Sequence, residues 1–228
     1  MHPLTRPILP RALRSVALAL ALTACAGTQA AAAPLPPPAQ DLPLAATHGR
    51  ASLVLSGGCF WGVQAVFQHV RGVLSATSGY AGGSADTAHY ETVSSGDTGH
   101  AESVQVVYDP AQITLGQLLR VFFAVAHDPT QRNRQEPDQG TQYRSAIWFG
   151  DAAQQRIAAA YIAQLDAAHV FGTPIATQLN PLPAFYPAEG YHQDYARLHP
   201  NDLYIVINDR PKVEHLREQF PQLYVEPR

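Results

Sequence analysis

The chain has 228 residues, of which 46% are hydrophobic and 14% are charged, a composition too polar for a protein that crosses a membrane several times. Its 15 basic and 18 acidic residues give a formal net charge of -3, which argues against nucleic-acid binding by general electrostatic attraction. Two cysteines are too few for a disulfide scaffold, a cysteine-rich zinc module or a cysteinyl iron–sulfur cluster.

The N-terminus has the pattern of an export signal. Three arginines precede an apolar run at residues 16–22, which is too short to remain as a transmembrane helix. The run ends in Leu22-Thr23-Ala24-Cys25, which resembles a bacterial lipoprotein signal, where cleavage leaves a lipidated cysteine at the new N-terminus. We therefore predict a signal peptide over residues 1–24 and lipidation of Cys25. An ordinary secretory signal cut after Gln29-Ala30 is the alternative.

Export would place the mature protein in the periplasm or cell envelope. Because Ala26 after Cys25 does not favour retention in the inner membrane, we expect an outer-membrane anchor where two membranes are present. Loss of residues 1–24 removes three arginines and no acidic residue, which lowers the net charge to -6. Cys59 is then the only free thiol, so an intramolecular disulfide cannot form.

A low-complexity segment follows the signal. Residues 26–47 are rich in Ala and Pro, a composition that cannot bury a core and is typical of a semi-rigid linker. We predict that residues 25–48 form the lipid anchor and a tether, and that residues 49–228 form one folded catalytic domain.

The first half of that domain alternates between strands and helices. A strand at 52–55 ends at Gly57-Gly58, and apolar residues then recur at helical spacing from Val63 to Val70. Residues 81–99, rich in Gly, Ser and Thr, predict a long functional loop. Residues 102–108 alternate as a strand does.

The second half continues the alternation. Thr114 can cap a helix with apolar residues from Leu115 to Phe122, and Asp151 can cap a long alanine-rich helix after a strand at 145–149. Weaker patterns predict a strand at 174–179, a short helix at 189–198 and an amphipathic helix at 212–220. These elements predict an α+β (mixed α/β) fold: a two-layer sheet-and-helix domain with long functional loops and a long C-terminal tail.

Cys59 has the features of a nucleophile. It lies where a strand turns into a helix, so free backbone N–H groups and the positive end of the helix dipole would face its sulfur and lower its pKa. The neighbouring glycines allow a close approach to a substrate, and Phe60 and Trp61 supply an aromatic wall suited to a methyl or thioether group. A buried structural cysteine beside two core aromatics is the alternative.

Five strings together resemble the peptide methionine sulfoxide reductase A family. They are Gly58-Cys59-Phe60-Trp61-Gly62, Gly79-Tyr80-Ala81-Gly82-Gly83, Gly99-His100-Ala101-Glu102, His127-Asp128-Pro129-Thr130 and Gly140-Thr141-Gln142-Tyr143-Arg144-Ser145. They follow the family's order and approximate spacing, and the resemblance covers roughly residues 52–207. It implies reduction of the S-epimer of methionine sulfoxide, free or in proteins, by attack of Cys59 on the sulfoxide sulfur.

The resemblance also implies roles for the residues around Cys59. Phe60 and Trp61 would hold the S-methyl group of the substrate. Glu102 would be the acid at the sulfoxide oxygen, assisted by Tyr90 and Tyr143. Asp138 would be a further polar residue that lines the site. A sulfoxide oxygen leaves poorly until it is protonated, so Glu102 can serve if burial keeps it protonated near neutral pH.

Two other classes of function remain possible from the sequence. His192 and Asp194 allow an exported Cys–His–Asp thiol hydrolase, and a binding lipoprotein without chemistry is the third possibility. We expect His100 and His127, which lie in matching strings, to be hydrogen-bonding scaffold residues.

The chain departs from the family pattern at two places. Glu136-Pro137 replaces a Gly-Asn pair found in many relatives, which puts the position of the Asp138 loop in doubt. The tail at 191–228 lacks the resolving cysteines of many relatives and resembles a single-cysteine branch of the family.

Cofactor signals are absent from the sequence. It contains no metal-binding motif and no phosphate-binding loop, so we expect no metal and no prosthetic group. Reduction should come from an external thiol (thioredoxin, glutaredoxin or a small thiol) that recycles a Cys59 sulfenic acid. The expected partners are oxidised proteins or peptides, a thiol reductant protein and the membrane through the lipid anchor, with no nucleic acid, and we expect a monomer.

Overall fold

A six-stranded sheet positions the residues around Cys59 in this computed structural model, which describes residues 35–227. The predicted signal peptide and Cys25 lie outside the described residues. The strands are β1 (Ala51–Ser56), β2 (Val73–Ala81), β3 (Ala101–Tyr108), β6 (Ala146–Phe149), β7 (Gln178–Pro181) and β8 (Phe185–Pro187), with a separate two-stranded pair of β4 (Arg134–Gln135) and β5 (Asp138–Gln139). The order in the sheet is β7-β6-β1-β3-β2-β8, and only β6 and β7 pair in parallel.

Helices cover the sheet. They are α1 (Phe60–Gln68), α2 (Tyr90–Val93), α3 (Leu115–Val121), α4 (Ala152–Ala167), α5 (Tyr195–Leu198) and α6 (Arg210–Gln219). A π-helical turn at Phe122–Ala126 extends α3, and another at Ile205–Asp209 leads into α6. No helix within residues 35–227 is long and apolar enough to cross a membrane.

Two predicted helix caps are confirmed. The Thr114 side chain accepts a hydrogen bond from the Gln117 N–H, and the Gln117 side chain accepts one from the Thr114 N–H, which completes a capping box before α3. Asp151 accepts from the Gln154 N–H at the start of α4. These contacts satisfy backbone donors that have no partner inside the helix.

The alternation of β1 explains why both faces of the sheet are covered. Leu53 and Leu55 belong to the main core cluster together with α1, whereas Val54 packs with Trp148 in a smaller cluster. Because successive side chains of a strand point to opposite faces, β1 is buried on both. The α+β prediction, with strands and helices interleaved, is confirmed.

Several predicted element positions were wrong. β2 was missed, because between Val73 and Tyr80 it carries mainly small and polar residues and shows little alternation. The expected strand at 174–179 lies at Gln178–Pro181, and the expected loop at 81–99 contains α2. The expected helix at 189–198 is split into a 3-10 turn at Gly190–His192 and α5.

The segment predicted as a tether packs against the domain over its described part. We call residues 35–48 the N-terminal strap. Leu35 is buried, the Arg120 Nε donates to its carbonyl oxygen over 2.6 Å, and the Tyr161 hydroxyl donates to the Pro36 carbonyl over 2.8 Å. Proline has no N–H to pair in a sheet, but its carbonyl oxygen is free to accept such side-chain hydrogen bonds. Within the described residues, the strap is therefore packed against the domain that was predicted to begin at residue 49.

Candidate active site

Cys59 lies between the end of β1 and the start of α1, as its N-cap. It is only 8% exposed. Gly58 before it has a φ of +85°, and a Cβ at that position would lie 2.5 Å from the Cβ of Gln135. Glycine is therefore required here by both the backbone conformation and the close approach of the β4 strand.

The predicted lowering of the Cys59 pKa was wrong for this state of the protein. Burial raises the Cys59 pKa well above its usual value, and the negative charges of Glu102 and Asp209 raise it further. The backbone N–H of Trp61 and the charge of Lys212 act to lower the Cys59 pKa but are outweighed. Because the opposing acids come from distant parts of the chain, the helix start alone could not predict this balance.

Glu102, the second residue of β3, is the acid of the site. It is 4% exposed, and its Oε2 accepts a hydrogen bond from the Phe60 N–H over 3.0 Å. Burial raises the pKa of Glu102 to about 8, with smaller contributions from the charges of Asp138 and Asp209. The carboxyl group is therefore mainly protonated at neutral pH and is able to donate a proton.

Two tyrosines lie within electrostatic reach of Glu102 and Cys59. Burial, followed by the charge of Glu102, raises the pKa of both Tyr90 and Tyr143, and the charge of Cys59 contributes at each. Both phenols therefore remain protonated across the physiological pH range and can act as hydrogen-bond donors. The structure thus brings together the four residues that the sequence implied for catalysis.

An aromatic wall lies beside Cys59. The Trp61 ring stacks on Tyr195 with centroids 3.8 Å apart and meets the edge of Tyr204 at 5.8 Å. Phe60 is buried at 1% exposure, with its ring 5.0 Å from that of His192. These rings form a rigid apolar surface of the kind that holds a methyl or thioether group.

Asp138 joins the site through Tyr204. The Tyr204 hydroxyl donates to Asp138 Oδ2, and the charge of Asp138 acts on both Glu102 and Tyr143. Burial raises the pKa of Asp138. The Glu136-Pro137 pair, which put this loop in doubt, leaves Asp138 beside the other site residues.

Comparison with known proteins decides the family. The model of the family described as peptide methionine sulfoxide reductase matches residues 51–224. The chain belongs to this family. The MsrA 2 reductase of Mesorhizobium japonicum is 56% identical to it over 181 residues, covering 79% of this chain and 93% of that protein. The MsrA 2 of Synechocystis is 49% identical over 188 residues, with 82% and 88% covered.

Solved structures of methionine sulfoxide reductases share the fold. Reduced Mxr1 from Saccharomyces cerevisiae matches with a TM-score of 0.62 and 34% identity, covering 68% of this chain and 92% of that one. The methionine sulfoxide reductase A of Corynebacterium diphtheriae matches with a TM-score of 0.58 and 38% identity, covering 67% and 76%. The protein is therefore an oxidoreductase, a peptide-methionine (S)-S-oxide reductase.

The geometry of this reductase does not form the hydrolase arrangement considered from the sequence. His192 Nδ1 accepts a hydrogen bond from Trp61 Nε1 over 3.2 Å, so the ring orients the tryptophan. Asp194 instead pairs with Arg197 at 2.9 Å. The other ring nitrogen, His192 Nε2, lies 4.0 Å from Glu189 Oε2 and not beside Asp194, so the Cys–His–Asp arrangement is not formed.

His100 and His127 both have scaffold contacts. The His127 Nδ1 bonds the Phe122 carbonyl over 3.1 Å, and its Nε2 bonds the Ser145 hydroxyl over 2.7 Å. His100 bonds the Gly83 N–H and the Ser84 carbonyl. Burial lowers the pKa of His127 to about 3, so it is neutral at physiological pH.

Four residues that the C-terminal tail brings to the site were not predicted from the sequence. They are Tyr195, Tyr204, Asp209 and Lys212. A tyrosine on a short helix carries no sign of which distant ring it will face, but the high density of tyrosines and histidines over residues 186–204 was a usable signal. Across residues 35–227, no group of three or more side chains that could hold a metal ion is found.

Proposed function

We propose that this reductase acts through a Cys59 sulfenic acid that an external thiol recycles. The observation that carries the proposal is the buried Glu102 carboxyl, with a pKa of about 8, beside the only cysteine of the described chain. A thiolate and a protonated acid are the two groups that reduction of a sulfoxide requires.

In the first step, the Cys59 sulfur attacks the sulfoxide sulfur while Glu102 protonates the oxygen, with Tyr90 and Tyr143 donating hydrogen bonds to it. The oxygen is transferred to Cys59, which becomes a sulfenic acid, and methionine is released. The sulfoxide gains the two electrons that Cys59 loses.

In the second step, one external thiol attacks the sulfenic sulfur, releasing water and forming a mixed disulfide. A second thiol then attacks that disulfide and restores the Cys59 thiol. Thioredoxin, glutaredoxin or a small thiol has the required chemistry. Oxidised proteins and peptides that contain methionine sulfoxide are the proposed substrates, with Phe60 and Trp61 holding the methyl group.

A single-turnover experiment tests this mechanism. Without added thiol, the enzyme should release at most one methionine per chain from the S-epimer, gain one oxygen atom in mass and become reactive to a sulfenate-trapping reagent at Cys59. With dithiothreitol, only the S-epimer should be turned over. Repeated turnover without a reductant, or equal reduction of both epimers, would contradict the proposal.

We also propose export and lipid anchoring, supported by the sequence pattern that ends at Cys25. The mature protein would lie in the cell envelope, on the outer membrane where two membranes are present, and repair oxidised envelope proteins. Full-length protein made in bacteria should take up labelled fatty acid and partition into detergent, and Cys25→Ser should lose both. Labelling that survives in Cys25→Ser would rule out this anchor.

A further inference from the structure

A buried ion pair lies beneath the first turn of α1. Asp209 is 0% exposed, and its Oδ1 is 3.0 Å from the Nζ of Lys212, whose side chain is 22% exposed. Both residues come from the C-terminal part of the chain, Asp209 from the end of the π-helical turn and Lys212 from the first turn of α6.

Gly62 shows how close this pair is to the turn that begins at Cys59. A Cβ on Gly62 would lie 2.1 Å from Asp209 Oδ1 and 2.7 Å from Lys212 Nζ, so any larger residue there would displace the two charged groups. An N-cap side chain points to the backbone of the second and third helical residues, which here are Trp61 and Gly62. Cys59 is the N-cap of this helix, so the ion pair lies against the turn that Cys59 begins.

The charges that face Cys59 differ in sign. Negative charge comes from Asp209 and, where it ionises above about pH 8, from Glu102 on β3, and positive charge comes from Lys212. The neutral phenols that the charge of Cys59 affects are Tyr90, Tyr143, Tyr195 and Tyr204. The charge of Lys212 also acts on Asp138 and His127.

The ion pair is incompletely bonded, which is unusual for a purely stabilising contact. Asp209 Oδ2 is buried and has no hydrogen-bond partner in the structure. A buried ion pair stabilises a fold only when its geometry is good and its remaining oxygens are satisfied. Burial raises the pKa of Asp209, with Lys212 opposing the rise. The pair therefore lacks the fully bonded geometry of a stabilising contact, and it lies where charge affects the nucleophile.

We propose that Lys212 is a positioning residue for the reaction, placing a positive charge against the Cys59 turn, and that Asp209 fixes and moderates this charge. The inference rests on the proposed role of Cys59 as the nucleophile. The attacking sulfur must carry negative charge in a buried site, where a nearby cation is worth more than in water. Lys212 supplies that cation without lining the aromatic wall.

The pH dependence of Cys59 alkylation by iodoacetamide tests the proposal, because only the thiolate reacts. Lys212→Met should raise the apparent pKa of Cys59 by about one unit, which makes alkylation at pH 7 roughly tenfold slower. Asp209→Asn keeps an acceptor for Lys212 but removes the negative charge, so it should lower the apparent pKa. Lys212→Arg keeps the positive charge and should therefore show the same pH profile of alkylation as the wild type. For the S-epimer with dithiothreitol, kcat of Lys212→Met should fall while KM changes little.

Lys212→Met and Asp209→Asn should shift the apparent pKa of Cys59 in opposite directions, which is the signature of a charge effect. Damage to packing would shift this pKa in the same direction in both variants. Glu214→Gln, an exposed charge change on the same helix, should leave the profile unchanged. If Lys212→Met does not fold, the double variant that carries both Asp209→Asn and Lys212→Met replaces it. The apparent pKa of Cys59 should then be higher in the double variant than in Asp209→Asn alone. An unshifted profile in the Lys212 variants, or shifts of the same sign, would overturn the proposal. Alkylation needs no sulfoxide, so this result is independent of the turnover that tests the proposed function.

Discussion

The two ends of β3 carry buried acids with opposite properties. Glu102, near the start, accepts one protein hydrogen bond, and burial raises its pKa to about 8. Asp109, directly after the strand, accepts hydrogen bonds from Gln112, His48 and the N–H groups of Gly49 and Ala111, which hold its pKa well below the usual range. Both side chains are almost fully removed from solvent.

The difference shows how hydrogen-bond donors and desolvation compete at a carboxyl group: hydrogen bonds outweigh desolvation at Asp109, and desolvation outweighs the single hydrogen bond at Glu102. At Asp109 the donors of the strap and the following turn replace the water that the carboxylate loses. At Glu102 a single donor is too few, so the proton stays on. One end of the strand therefore stabilises the fold, and the other end keeps an acid ready for chemistry at a cost in stability.

The largest expected effect is on catalysis at the Glu102 end. Glu102→Gln keeps the hydrogen bond to the Phe60 N–H but cannot deliver a carboxyl proton, so sulfoxide reduction should slow by about 10²-fold or more. Cys59 alkylation should be similar to wild type near pH 7 and faster above pH 8, where the ionised Glu102 of the wild type suppresses the thiolate. An unchanged reduction rate would remove Glu102 from the mechanism.

The same variant should be more stable than the wild type in alkaline solution. Glu102 ionises near pH 4.5 when unfolded and at about 8 when folded, so the wild type loses stability as the pH rises between these values. Glu102→Gln should therefore raise the free energy of unfolding by roughly 2 kcal/mol or more at pH 8 and by little at pH 4. Urea unfolding at both pH values measures this, and a pH-independent difference would contradict it.

Asp109→Asn should show the opposite dependence. The lowered pKa of Asp109 means that its stabilisation is complete above about pH 5 and is lost as the pH falls below about 4. The variant should lower the Tm by a few degrees at pH 7, with a smaller difference in acid, and should leave kcat unchanged. Calorimetry at pH 7 and pH 3.5, with an activity assay on the same samples, tests both parts.

The smallest effect is expected in the strap. Tyr161→Phe removes only the hydroxyl that bonds the Pro36 carbonyl and should cost about 1 kcal/mol of stability without affecting turnover. Removal of residues 1–48 should cost several times more, because Leu35 and the other strap contacts are lost as well. Equal stability of the shortened and longer proteins would show that the strap is only a tether and does not stabilise the domain.

Local sequence signals predicted the part of the site that is contiguous in the chain. The strand, the glycine turn and the helix cap placed Cys59 beside Phe60 and Trp61, and the caps at Thr114 and Asp151 were found in the same way. These features depend on neighbours within a few residues, which a sequence displays directly.

The features that were missed depend on contacts between distant segments. The stacking of Tyr195 on Trp61, the charge of Asp209 near Cys59 and the hydrogen bond from Tyr161 to the strap each join residues far apart in sequence. The direction of the Cys59 pKa shift was wrong for the same reason. The sequence indicated the helix dipole that lowers the Cys59 pKa, but it did not indicate the burial and the nearby acids that raise it.

The strap also determines where the protein would bear mechanical load. It enters at Leu35 near α3 and α4 and reaches Asp109 at the end of β3 that is remote from Glu102. A force applied to the chain ahead of Leu35 would first shear the hydrogen bonds of Arg120, Tyr161 and Gln164 to the strap. These strap contacts would have to break before the force reached β1, the strand that leads into Cys59.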